Sequence, residues 1–107
     1  MPFQNLRDQA RSLAQEIPYR PTQNAGRLDW EKVNQMVIDM KAGADIFWQK
    51  IIDSGRLIRV GPSGELVEGH HRVLAATLAD VPIPKEAILT DVDVGALDPR
   101  PWSHVLK

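Results

Sequence analysis

The chain turns on residues 64–76. There Glu65-Leu66-Val67-Glu68 reads as a short strand, Gly69 breaks it, and His70-His71-Arg72 opens an alanine-containing helix. Nowhere else does the chain set so many ionisable side chains where a strand hands over to a helix. A helix start offers unpaired backbone N–H groups and a partial positive charge, and both suit an anion such as phosphate. Arg72 adds a planar fork of donors matched to phosphate oxygens, and the histidines add donors whose charge varies near neutral pH. These residues predict a phosphate-binding corner. The rest of the chain must supply the base under it and the walls around it.

At 107 residues the chain fits one domain, long enough to bury a core without staples. No apolar run approaches the roughly 20 residues of a membrane span, and the N-terminus carries no signal-peptide pattern. The absence of cysteine excludes disulfides, thiolate metal sites and a cysteine nucleophile, and it fits a reducing cytoplasm. A net charge of −1 argues against a dedicated duplex-DNA binder, which carries a basic face. A small phosphorylated ligand needs only a local positive pocket and survives that test.

Residues 5–17 carry Leu6, Ala10, Leu13, Ala14 and Ile17 at helical spacing, with Asn5 as a cap and Pro18 as the stop. Residues 18–28 read as a loop holding Arg20 and Arg27, at a kind of position where ligand contacts concentrate. Asp29 is placed to cap a helix over residues 30–42, with Trp30, Val33, Val37 and Met40 on its apolar stripe and Gly43 as its stop. Lys32, Gln35 and Asp39 line up along one other side. Ile46, Phe47, Trp48, Ile51 and Ile52 fit a helical turn or a strand equally well. Residues 56–60 and 65–68 pair as a hairpin through the turn at 61–64, and a helix follows over residues 71–79. Ile88, Leu89 and Thr90 form a last strand. Residues 95–107 read as a loosely ordered tail held by docking of Trp102. The whole is an α+β domain with a small sheet and packed helices.

Two chemistries compete for the histidines. His71, with an ordinary pKa near 6.5, suits general acid–base work while Arg72 stabilises a transferring phosphoryl group. Equally, both rings can simply cap the helix and bond a neighbouring loop. Metal binding is disfavoured, since adjacent histidines diverge by about 100° on a helix and seldom chelate one ion. A carboxylate such as Glu68 or Asp39 could hold magnesium only together with a substrate phosphate.

The run Glu68-Gly69-His70-His71-Arg72-Val73-Leu74-Ala75-Ala76 resembles the signature segment of the ParB/sulfiredoxin superfamily. ParB-like nuclease domains often read Asp-Gly-His-His-Arg there, so Glu68 is a conservative departure. Upstream, Arg20-Pro21, Leu28-Asp29 and Lys32-Val33 follow the order found in sulfiredoxins, and Ile83-Pro84 before a last strand also fits. The likeness spans roughly residues 17 to 94. It implies a small mixed sheet with helices and a nucleotide, such as ATP or CTP, whose phosphates lie over the helix start after Gly69. By that likeness His70, His71 and Arg72 meet phosphate, and Lys32 reaches it from the facing helix. Gln35 stands where sulfiredoxins have serine, and Arg20 belongs to the loop beside the ligand. Asp39 stands where they have threonine, where a carboxylate repels phosphate. His70 stands at the sulfiredoxin cysteine, so sulfinic-acid repair is chemically excluded.

The family contains CTP-binding partition proteins, nucleases, NTPases and toxin modules of secreted bacterial proteins. The resemblance therefore implies a phosphohydrolase, an NTPase or nuclease working with magnesium brought by its substrate. As a toxin module it would be delivered within a larger effector and met by an immunity protein. The other implied function is a non-catalytic module in which a nucleotide switches contact with a DNA or protein partner. In either case Arg72 is expected to stand exposed in the pocket.

Overall fold

In a computed structural model that describes residues 3–22 and 28–106, the chain is an α+β fold built on a four-stranded mixed sheet. Helix α1 (Gln4–Ser12) leads through a 3-10 turn (Ala14–Glu16) to strand β1 (Arg20–Pro21). Helix α2 (Trp30–Ser54) is followed by β2 (Ile58–Val60), β3 (Glu65–Glu68) and helix α3 (His70–Ala79). A 3-10 turn (Lys85–Ala87), strand β4 (Ile88–Leu89) and the short helix α4 (Trp102–Val105) complete it.

The sheet order is β1-β3-β2-β4. The hairpin β2–β3 is antiparallel with a register shift at Arg59/Val60, while β1 lies parallel to β3 and β4 parallel to β2. Alternation follows the pleat: Ile58 and Val60 are buried and Arg59 is exposed between them. Val73, Leu74, Ala76 and Leu78 of α3 join Val33, Val37 and Met40 of α2 and Leu66 of β3 in a single core. The small Ala75 and Ala76, both buried, let α3 approach its neighbours closely.

Several local expectations need correction. Asn5 does not cap α1; Phe3 occupies that position with a left-handed backbone and no side-chain cap bond is made. The first helix ends at Ser12 and tightens into a 3-10 turn, after which Pro18 holds Ile17 extended (ψ 121). Gly43 interrupts α2 with non-helical angles, but the helix resumes at once and runs on to Gly55, whose left-handed φ of 75 ends it. Burial of Trp48 among the core residues decides the 46–52 run for helix. The segment read as a loop holds β1, whose pairing to β3 no local signal announces. Arg27 lies outside the described residues.

The tail is docked at more points than Trp102 alone. The Arg100 N–H donates to the Pro21 carbonyl at 2.8 Å, and Arg11 Nε donates to the Leu106 carbonyl at 2.6 Å. Trp102 itself is buried, with its Nε1–H donating to the Tyr19 carbonyl at 3.1 Å.

Candidate functional site

The corner forms because β3 ends at Glu68 and Gly69 turns the chain with φ 97 and ψ 22, a conformation that favours glycine. A Cβ at Gly69 would also lie 2.9 Å from Ile58 Cγ1 and 3.3 Å from Ile58 Cα, so the backbone of the turn rests directly on β2. Helix α3 then starts with no side-chain cap and no acidic residue in its first turn. Its positive end is therefore uncompensated from within the helix.

The two histidines diverge, as neighbours on a helix must, and each reaches a different backbone amide. His70 faces inward at 8% exposure, stacks edge-on against Trp102 with ring centroids 6.2 Å apart, and accepts the Thr22 N–H on Nε2 at 3.3 Å. His71 is half-buried and accepts the Asp29 N–H on Nε2 at 3.0 Å. Both bonds need an unprotonated Nε2, so each neutral ring carries its proton on Nδ1. Burial first, and then the neighbouring His71, push the pKa of His70 down to about 4. His71 is also lowered, by burial and then by the Lys32 ammonium, with the Asp29 carboxylate opposing. Thus the pair ties the exit of β1 and the start of α2 to the start of α3.

Asp29 does cap α2, its Oδ1 accepting from the Glu31 and Lys32 N–H groups at 3.1 and 3.2 Å. That places the starts of α2 and α3 side by side, joined by the Asp29–His71 bond, with Lys32 near enough to act electrostatically on the imidazole. Gly69, His71 and Lys32 therefore share one corner.

The other candidates are engaged elsewhere. Arg72 is not an exposed pocket residue: it is half-buried and donates from Nη1 to the Arg56 carbonyl, in the connection between α2 and β2. Burial and the Arg56 charge lower its pKa while the Glu68 carboxylate raises it, burial being the largest influence. Arg20 donates from Nη2 to the Ser63 carbonyl at 3.1 Å and pairs in register with Glu65. Four residues of extended chain, about 13 Å, separate that register position from Gly69. Gln35 spends its amide on Asp39 Oδ1 at 3.0 Å, and Glu68 pairs with Arg59 at 3.5 Å. Among the described residues no three metal-ligating side chains gather at one point.

Sequence reasoning did not find Thr22 or Trp102 as partners of His70. Their contacts depend on β1 and on the tail, which lie 48 and 32 positions away in the chain.

For Arg72→Ala the expected result is a loss of about 1–2 kcal/mol in urea unfolding, because a charged donor to a backbone carbonyl is removed. Lysine at that position, lacking the fork, should recover little of it.

Neither a family model, nor a curated protein, nor a solved structure matches this chain.

Proposed function

We propose that this chain is a phosphate-binding module of the ParB/sulfiredoxin kind, taking a nucleotide over the start of α3. The observation that carries the reading is the uncapped start of α3 beside Lys32, with no acid in its first turn. His71 adds a donor there, since its Nδ1 bears the proton while Nε2 is held by Asp29. Bare amides, one ammonium and a neutral imidazole donor together suit a phosphate group.

The same geometry favours binding over hydrolysis. A general base at His71 would have to give up the Asp29 bond, and its lowered pKa leaves it without the proton a general acid needs. Arg72, the expected charge stabiliser of a phosphoryl transfer, gives Nη1 to the Arg56 carbonyl. In this reading a nucleotide such as ATP or CTP, carrying its own magnesium, switches contact with a DNA or protein partner.

The test is thermal unfolding with ATP, CTP, GTP or inorganic phosphate, each with magnesium, alongside an assay of phosphate release. A ligand at a hundred times its Kd should stabilise the fold by about 2.7 kcal/mol. Lys32→Ala is expected to weaken that ligand at least about tenfold, or about 1.4 kcal/mol, whereas Arg72→Ala should leave its affinity nearly intact. If none of these ligands raises the midpoint, the phosphate reading fails. Phosphate release that Lys32→Ala abolishes would replace the binding module with a hydrolase.

A further inference from the structure

About two helical turns along α2 from Lys32, an open face of the helix goes beyond the phosphate reading. Asp39, Ala42, Gly43, Ile46, Phe47 and Lys50 line one groove of about 390 Å³ that spans the kink at Gly43. Ile46 is 66% exposed, more than any other large apolar side chain among the described residues. Asp39 and Lys50 are exposed as well, and neither has an ion-pair partner among the described residues. The groove is thus apolar at its centre, with an unpaired acid at one end and an unpaired base at the other.

The order of these six residues defines what fits over them. Counted outward from the bond between Ala44 and Asp45, they fall in pairs at equal distance: Gly43 with Ile46, Ala42 with Phe47, and Asp39 with Lys50. Each pair joins opposites, small with large twice and acid with base once. A half-turn about an axis at that bond therefore lays the face on a second copy of itself with every position matched, as an isologous interface requires. Ile46 of each copy enters the space that Gly43 leaves on the other, and Phe47 covers Ala42. Both ends then close with an Asp39–Lys50 pair. A parallel arrangement would set acid on acid and base on base, which like-charge repulsion disfavours.

We infer that the chain pairs with a second copy of itself through this face, α2 against α2 in antiparallel sense. Six residues a side fall well under the roughly 20–30 of a standard interface, so the dimer belongs to the weak, reversible class.

Sedimentation equilibrium of the full chain from about 10 μM to about 1 mM tests this. The weight-average mass is expected to rise from the 12.0 kDa of one chain toward that of two. Asp39→Lys or Lys50→Glu alone sets like charges at both ends and should weaken the dimer at least about tenfold. The double swap, Asp39→Lys with Lys50→Glu, restores opposite charges at both ends and should bring the dimer back. Both positions are exposed, so the variants are expected to keep the wild-type urea midpoint. Three results would each overturn the inference: a mass that stays at 12.0 kDa throughout, a dimer indifferent to the single swaps, or a double swap as weak as the singles. The failure of nucleotide binding would not touch it, since Lys32 and the start of α3 take no part.

Discussion

Gly69→Ala should lower the free energy of unfolding by about 3 kcal/mol, a large share of the roughly 5–15 kcal/mol that holds a domain of this size together. Two costs add. An alanine at φ 97 sits in left-handed backbone, which costs an L-residue about 1 kcal/mol. Its Cβ would also stand 2.9 Å from Ile58 Cγ1 and 3.3 Å from Ile58 Cα. Ile58 is completely buried and its Cα is one of the three close atoms, so relief requires β2 to move, an overpacking cost of about 2 kcal/mol. Gly64→Ala separates the two costs, because Gly64 has φ 83 but nothing within 4 Å of its would-be Cβ. Urea titrations should show a loss of about 1 kcal/mol for Gly64→Ala. Equal losses in the two variants would show that the turn does not rest on β2 as described.

What local chemistry dictates was legible in the sequence, and what distant chain supplies was not. Asp29 was readable as a cap because its carboxylate bonds amides two and three residues away. Gly55 and Gly69 end elements for reasons carried in their own φ angles. The hairpin and α3 followed from periodicity and glycine punctuation. Strand β1 did not, because two residues ending in proline have no periodicity, and its partner β3 lies more than forty positions on. The second half of α2 was ambiguous for the same reason of length. At the corner, helical geometry foretold that His70 and His71 would diverge but not which would turn inward. That choice is made by Trp102, which covers His70 from the tail. Arg72 was legible as a charge and illegible as a fastener, since its acceptor is a backbone carbonyl sixteen residues back.

The proposed phosphate corner and the histidine pair are thus one construction seen from two sides. His71 keeps its proton on Nδ1 while its Nε2 holds the start of α2. His70 holds the exit of β1 from beneath. A phosphate arriving beside Lys32 would stabilise a protonated His71, but that proton would convert the acceptor of the Asp29 N–H into a donor. With its pKa lowered, the ring is neutral at neutral pH; affinity there is expected to rest on Lys32 and the amides of α3, and an anion at the corner would raise the His71 pKa.

The same bonds make the fold sensitive to acid. His70 titrates at about 4 in the folded chain against about 6.5 when unfolded. Between those values the unfolded chain binds the extra proton, so stability rises with pH across that window. His70 therefore contributes its full stabilisation above about pH 6.5, and that contribution is lost as the pH falls toward 4. At about 1.4 kcal/mol per pH unit the loss amounts to about 3 kcal/mol. His71 shifts the same way and adds to the slope. Physically, a protonated His70 would be a buried charge whose Nε2–H points at the Thr22 N–H. Carboxylates also titrate near pH 4, so the measurement is a difference between the wild-type chain and His70→Gln, whose amide oxygen reaches as far as Nε2 but does not titrate. Urea unfolding from pH 7 down to pH 4 should show the wild-type chain losing about 3 kcal/mol more than the variant. Parallel curves for the two would mean that His70 is already free to protonate in the folded chain. The inward ring, its Trp102 cover and its hold on β1 would then have to be given up together.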